Sequence, residues 1–258
     1  MKKTFLLSCL MLAAMPVMAA YTGRVYVDKN KNGVFDPGEK TWAGIKVSDG
    51  LNVVETAADG SFTLPGHERE RFIFITTPSG YKTFNRHYHK IEEKQSGYDF
   101  GLMPYSGRIR KDGSHKYIHI ADTEIFNTEN HEDWVNNVRD YARNEQAAFI
   151  IHTGDICYEK GLKAHIKLMN TENMDCPVFY CIGNHDLVKG KYGEELFESI
   201  YGPVYYSFDA GNVHYIVTPM PGGDHAPGYT ADDVCRWLKM IWRISAPELP
   251  LLFSIMIY

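Results

Sequence analysis

The chain has no basic stripe. Its formal net charge is −5 over 258 residues, and Arg108-Ile109-Arg110-Lys111 is the nearest approach to a cationic cluster. No nucleic-acid partner is expected, because phosphate-backbone binding needs clustered cations. There is no C-x-x-C pair either. Of five cysteines, four follow residue 20 (Cys157, Cys176, Cys181 and Cys235), and none has zinc-site spacing. Their spacing assigns no disulfide, and buried free thiols fit equally well. A long hydrophobic run is also missing: the apolar stretch from Phe5 to Val17 is too short for a stable bilayer span. What remains is an ordinary globular composition, 44 % apolar and 13 % aromatic, sufficient for a real core. The length allows one large domain or two smaller ones. Nothing in the pattern selects an oligomeric state.

Residues 1–20 read as an address. Lys2-Lys3 is a basic start, Phe5 to Val17 an apolar core, and Val17-Met18-Ala19 a small-residue end suited to cleavage after Ala19 or Ala20. The expected protein is exported, to a periplasmic, cell-surface or extracellular location, with no transmembrane segment once the signal is removed. Export would permit disulfides.

Residues 21–103 show strand signals and no helical period. Candidate strands are Gly23–Val27, Gly44–Val47, Leu51–Thr56, Ser61–Leu64 and Arg71–Ile75. They are short, β-branched and separated by turn dipeptides such as Asp49-Gly50 and Asp59-Gly60. A small all-β sandwich is expected. Between its first strands lies Asp28-Lys-Asn30-Lys-Asn32-Gly33-Val34-Phe-Asp36-Pro-Gly-Glu39, which fits D-x-[DN]-x-[DN]-G-x5-E. Ca²⁺ takes six to eight oxygens. Asp28, Asn30, Asn32 and Asp36 would offer side chains, Val34 its carbonyl and Glu39 a bidentate close, with Gly33 making the sharp turn. Since strands flank the loop, it would stiffen structure rather than sense a signal. Gly23-Arg-Val-Tyr-Val-Asp28, the calcium-type loop, Gly44-Ile-Lys-Val47 and Asp59-Gly-Ser-Phe-Thr-Leu-Pro65 resemble Cna-protein B-type and prealbumin-like modules of exported proteins. Such modules imply stalks or accessory domains, not chemistry.

A polar join over 104–115 precedes a change of period. Strands at Tyr117–Ala121, Ala148–His152 and Val178–Cys181 alternate with helical patterns at His131–Gln146, Leu162–Met169 and Glu194–Ile200. In the first helix Trp134, Val135, Val138, Tyr141 and Ala142 form the expected apolar face, and Asn130 is the expected cap. Alternation of this kind predicts βαβ units and a largely parallel sheet. A hairpin at Val204–Asp209 and Val213–Thr218 and a capped helix from Thr230 follow. Three strands end in Asp122-Thr-Glu124, Gly154-Asp155 and Gly183-Asn184-His185-Asp186. Oxygen donors at the carboxyl ends of parallel strands suggest a metal centre.

In that order the three elements resemble the calcineurin-like metallophosphoesterases, from about Lys116 to Lys239, and Gly202–His214 resembles the hairpin of secreted members. The resemblance implies two mixed sheets between helices in residues 116–258. It implies two divalent ions (Mn, Fe, Zn or Mg) and a phosphomonoester or phosphodiester substrate. Carried over, Asp155 bridges the ions, Asp122 binds the first and Asn184 the second. His185 acts beside the phosphate and Asp186 orients its ring. Glu124 stands where the family usually has His or Gln, shifting the site toward harder metals.

The family also has later histidines, one after a further strand and others in a G-x-H motif, and this chain has neither. His214 and His225 lie outside those motifs and read as a strand side chain and a loop residue. From Met240 the text is apolar without clear period, and its last apolar residues are expected to lack partners and favour aggregation. One added base at the Lys239 codon, with synonymous codons chosen freely, lets the tail read as a helix end, a turn, a buried strand and Asn-His. The expectation is a frameshifted gene or a sequencing slip, so that the chain is an incomplete copy of an exported metallophosphoesterase, and a confirmed frame ending at Tyr258 is expected to show little or no catalysis. The competing reading is a non-catalytic, calcium-stiffened surface or binding protein with a vestigial phosphoesterase half.

Overall fold

The computed structural model describes residues 20–67, 70–92, 95, 97–105, 108–245 and 251–255, the last stretch as backbone. The signal-like segment, residues 1–19, lies outside the described residues, as do 246–250 and 256–258 of the tail.

The N-terminal region is all-β. Its strands are β1 (Ala20–Val27), β2 (Lys46–Ser48), β3 (Val53–Glu55), β4 (Ser61–Pro65), β5 (Phe72–Ile75), β6 (Tyr81–Thr83), β7 (Tyr88–Lys90) and β8 (Phe100–Pro104). They form two four-stranded sheets, ordered β4-β1-β8-β6 and β3-β2-β5-β7. The sequence shows the first five strands. β6, β7 and β8 were not expected, being short or lacking alternation. β8 pairs parallel with β1, with Val25 opposite Phe100. One core joins the two sheets through Val25, Leu64 and Leu102 from the first and Val47, Ile73 and Ile75 from the second.

The second region contains β9 (Lys116–Ile120), α1 (Glu132–Asn144), β10 (Ala147–His152), α2 (Tyr158–Leu168) and β11 (Val178–Tyr180), a 3-10 turn at Asn184–Asp186, and α3 (Glu195–Tyr201). It continues with β12 (Tyr206–Ala210), β13 (Val213–Val217), α4 (Ala231–Ser245) and β14 (Leu251–Ile255). β9, β10 and β11 form a parallel sheet in the order β11-β10-β9, with Ile120 opposite His152 and His152 opposite Tyr180. The expected βαβ units are therefore present, and their carboxyl ends line one edge. β12, β13 and β14 form a mixed sheet. The chain is thus mixed α/β, preceded by an all-β region.

Several local expectations need correction. The cap of α1 is His131 without a side-chain bond, and Asn130 sits at φ 61° instead. In α1 Val135 and Ala142 are buried, but Tyr141 is 60 % exposed. The Thr230 box does form: Asp233 N–H donates to Thr230 Oγ1 (3.2 Å) and Thr230 N–H to Asp233 Oδ2 (3.0 Å). The tail keeps a helical period past Met240, with Trp237, Ile241 and Ser245 buried at four-residue steps. Nor does Leu251–Ile255 lack a partner: β14 pairs parallel with β13, Val213 opposite Leu251.

The two regions share a core. All four residues of β5 are buried. Ile73 and Ile75 face the core of the N-terminal sheets, while Phe72 and Phe74 join Phe149, Tyr206, Phe208 and Trp237 of the second region. Polar bonds fasten the same seam: Asp209 N–H to Thr77 O (2.8 Å), Trp237 Nε1–H to Ser48 Oγ (3.2 Å), and Thr76 Oγ1 with Ser207 Oγ (2.8 Å). Arg71 pairs with Glu194 (2.8 Å) and Glu198 (2.9 Å) across it. A strand that buries both faces cannot belong to a freely swinging stalk.

Candidate metal centre

Strands in one sheet lie about 4.8 Å apart, so residues just beyond the carboxyl ends of β9, β10 and β11 become neighbours. The chain turns sharply at each end. Asp122 (φ 53°), Glu124 (φ 43°) and Asp155 (φ 53°) all adopt the left-handed conformation. Such backbone persists where the surroundings enforce it, and it collects at functional sites. Asp122 N–H donates to Gly154 O at 3.1 Å, tying two strand ends together. Asp122 and Glu124 are exposed, while Asp155, Asn184 and His185 are half-buried.

Gly183 is required by contact. A Cβ there would lie 2.2 Å from Asp155 Oδ1 and 2.3 Å from Asp155 N. The close approach lets His185 N–H donate to Asp155 Oδ1 at 3.1 Å. It thereby places the Asn184-His185 turn directly on the Asp155 turn.

His185 is where the structure departs most from the expected roles. Its Nδ1 lies 2.8 Å from Asp224 Oδ2, so Asp224, not Asp186, orients the ring. Asp186 is buried and faces inward, accepting from Cys157 N–H and Gly183 N–H, each at 2.9 Å. Burial pushes its carboxyl up to about 6 despite those bonds, and the nearby Asp155 charge adds to the rise. It therefore locks the turn. The His185 imidazole is held above its ordinary pKa, chiefly by the Asp224 hydrogen bond, with Asp155 and Glu124 contributing. Asp224 is itself anchored by Asp224 N–H to Asn184 O (3.1 Å). The sequence signal for Asp224 was faint: it lies in the Gly-rich loop after β13, 39 residues from its partner.

The carboxylate field converges near Cys157, whose thiol is pushed up to about 12 by burial and then by Glu124, Asp155 and Asp186. Tyr158 stands at the rim, 47 % exposed, with its ring 5.6 Å from that of His185. The structure thus brings Glu124, Asp155 and His185 together and adds Asp224, while Asp122 shares the edge through the backbone. His214 is no part of it. It is buried in β13 with Nδ1 2.6 Å from Asp209 Oδ1.

Among the described residues, one His/Cys/Asp/Glu trio has ligand atoms all within 4.8 Å of one another: Asp49, His67 and Glu70, on the N-terminal region. The strand-end donors are more widely spread. Asp49 is buried, with its oxygens already accepting from Leu51 N–H, Asn52 N–H and the Asn52 amide. Glu70 accepts from Tyr21 Oη–H and His67 N–H, and His67 Nε2 lies 3.4 Å from Asp49. This trio can accept a cation, yet it also closes as an ion cluster by itself. Sequence reading missed it because Asp49 looked like a turn residue.

An α/β domain with carboxylates, an amide and a carboxylate-paired imidazole along one parallel-strand edge has the layout of a metal-dependent hydrolase. Comparison with known families is more specific. Residues 115–237 match the model for calcineurin-like phosphoesterase, and residues 29–105 match the model for the N terminal of calcineurin-like phosphoesterase. The two matches follow one another along the chain, the N-terminal model first and the phosphoesterase model second. No curated protein matches the chain. The family usually binds divalent metals, and the strand-end donors fit one: they are hard oxygens on strained turns, with Asp155 cradled against a glycine that leaves no room for a Cβ.

Proposed function

We propose that the protein is an exported, metal-dependent hydrolase of phosphomonoesters or phosphodiesters. The observation that carries this reading is the delivery of Asp122-Thr-Glu124, Gly154-Asp155 and Asn184-His185 to one sheet edge inside the matched phosphoesterase domain. Asp122, Glu124, Asp155 and Asn184 would hold two divalent cations, with Asp155 shared. Bound divalent cations would polarise the phosphoryl oxygens and supply a water nucleophile at neutral pH. His185 donates a hydrogen bond or proton to a phosphoryl or leaving-group oxygen. Asp224 fixes its ring through Nδ1 and leaves Nε2 to face the substrate. Asp186 braces the turn that carries it.

We assign 1–20 to an export signal, 21–103 to a β-sandwich module, 104–115 to a join and 116–258 to the phosphoesterase domain. The 28–39 loop supports a calcium site in the module. Asp28 is buried, its carboxylate accepting from the N–H groups of Lys31 (2.6 Å), Asn32 (3.2 Å) and Gly33 (2.9 Å). Asn30 and Asn32 both reach Asp36 Oδ2 at 2.8 Å, so alternate side chains converge.

The test is hydrolysis of p-nitrophenyl phosphate and bis-p-nitrophenyl phosphate by the purified chain with Mn²⁺, Mg²⁺, Zn²⁺ or Fe²⁺. Turnover that disappears in Asp155→Asn supports the reading. Absence of turnover with all four metals, alongside Ca²⁺ binding, favours the non-catalytic alternative. Resequencing the gene across codons 238–240 checks the frameshift expectation.

A further inference from the structure

Behind the strand-end edge, two imidazoles converge on one hydroxyl. His152, the last residue of β10, and His165, on α2, are both fully buried, with ring centroids 4.9 Å apart. Thr123 Oγ1 lies 3.0 Å from His152 Nε2 and 3.3 Å from His165 Nδ1. The proposed chemistry uses none of these three groups.

The hydrogen bonds fix the direction of every proton. Gly154 N–H donates to His152 Nδ1 at 3.1 Å. A neutral imidazole accepting at Nδ1 carries its proton on Nε2, so His152 donates to Thr123 Oγ1. The threonine O–H is then free to donate to His165 Nδ1. His165 in turn carries its proton on Nε2, a buried atom with no hydrogen-bond partner among the described residues. Burial holds both rings neutral, His165 at about 4 and His152 also well below the ordinary histidine value.

Two members of this relay sit on the metal-ligand turns. Thr123 sits between Asp122 and Glu124, and Gly154 immediately precedes Asp155. Asp122 N–H to Gly154 O, at 3.1 Å, makes a second brace across the same pair of strand ends. All three carboxylate residues hold left-handed backbone, which needs external support.

We propose that Thr123, His152 and His165 are positioning residues, a buried hydroxyl–imidazole relay that locks the Asp122–Glu124 and Gly154–Asp155 turns in the geometry that captures a divalent cation. The proposal rests on the metal-centre reading above. Were the three groups simple core filling, a methyl in place of the hydroxyl would serve as well.

The experiment titrates Mn²⁺ into the metal-free full chain by calorimetry, comparing wild type, Thr123→Val and Thr123→Ser. Removing an outer-shell partner of a metal ligand typically weakens affinity by about 10–100-fold. Thr123→Val should show that loss with unchanged far-UV circular dichroism, and Thr123→Ser should recover most of the affinity. Where Thr123→Val fails to fold, His165→Asn against His165→Leu supplies the same contrast, since the Asn Oδ1 can accept at the Nδ1 position. Nitrogen-15 spectra of the metal-free chain should show both imidazoles protonated at Nε2, and protonation at Nδ1 of His152 overturns the relay. Wild-type affinity in Thr123→Val, or equal loss in Thr123→Ser, overturns the proposal alone. A wild-type chain that takes up no Mn²⁺ overturns the metal-centre reading and the proposal with it.

Discussion

Two regions of this molecule gather oxygen donors, and they spend them differently. In the 28–39 loop the carboxylates are largely committed to the loop itself. Asp28 accepts three backbone N–H groups, and Glu39 accepts from Lys29 N–H (2.8 Å) and Asp36 N–H (3.1 Å). At the strand ends, among the described residues, the expected ligands Asp122, Glu124, Asp155 and Asn184 receive one such side-chain-directed backbone bond, from His185 to Asp155. The loop can hold its shape on its own hydrogen bonds. The strand-end edge is held from behind, by Asp186 and, on the proposal above, by the Thr123 relay. On the proposed reading, a structural ion site and a reactive one would differ less in donor chemistry than in what the donors are already doing.

The hardest blow to that contrast would be an active enzyme without Asp155. Asp155→Asn keeps the size of the side chain and removes the shared charge, so hydrolysis of an aryl phosphate should fall to background. Asp28→Asn, the matching change in the loop, should leave the rate within a few-fold of wild type. Equal losses in the two variants would mean that both regions serve one function.

The next largest effect concerns the seam between the regions. Arg71 lies between Glu194, fully buried, and Glu198, 5 % exposed. Burial pushes the Glu198 carboxyl up to about 7 although Arg71 opposes the rise. Arg71→Ala strands buried negative charge and should cost about 3–5 kcal/mol, read as a lowered urea midpoint. The pH sign follows from the Glu198 shift. Its folded pKa is raised, so the folded state holds the proton more tightly, and this group's contribution to stability declines as pH rises from about 4.5 toward 7. Glu198→Gln should flatten that decline. Two separate unfolding transitions in Arg71→Ala would show that the regions share less than the double-faced burial of β5 implies.

Asp224 offers a finer test within the reactive region. It holds the His185 imidazole above its ordinary value, so the protonated ring survives to higher pH in the intact site. A reaction that needs that proton loses rate as pH rises through the folded pKa. Asp224→Asn should shift the loss to lower pH and reduce kcat by roughly 10²-fold or less, below the full effect of a general acid. An unchanged pH–rate profile would remove Asp224 from the site.

How far the sequence reveals these features depends on sequence distance. The Gly154-Asp155 and Gly183–Asp186 turns are local patterns on predictable strands, and β9, β10 and β11 fell where the apolar runs placed them. Asp224 could not be read in this way, because its contact with His185 is made only when the loop after β13 folds over the 183–186 turn. The same limit hid β8, whose parallel pairing with β1 joins residues about 75 apart. The role given to Asp186 failed for another reason. Adjacent residues on a 3-10 turn project in different directions, so the neighbour of His185 in sequence is buried beneath it. Beyond Met240 the helix continued because Trp237, Ile241 and Ser245 share one face. The exposed Met240 (39 %) and Trp242 (51 %) masked that period.

The smallest expected effect lies in the loop. If its donors are mostly satisfied internally, calcium adds to a structure already formed, and the gain is the mass-action term alone. At a Ca²⁺ concentration a hundredfold above the dissociation constant, that term is about 2.7 kcal/mol. It should appear as a calcium-dependent rise in the melting temperature, absent in Asp36→Ala, which removes the carboxylate on which Asn30 and Asn32 converge. Gly33→Ala should weaken the loop even without calcium. Gly33 has φ 74°, and an added Cβ would lie 2.5 Å from the Phe84 ring. The two variants separate ligand binding from loop geometry. A wild-type chain whose melting temperature ignores calcium, with Gly33→Ala still destabilised, would leave the loop as a hydrogen-bonded turn that resembles a calcium site in sequence and does not use one.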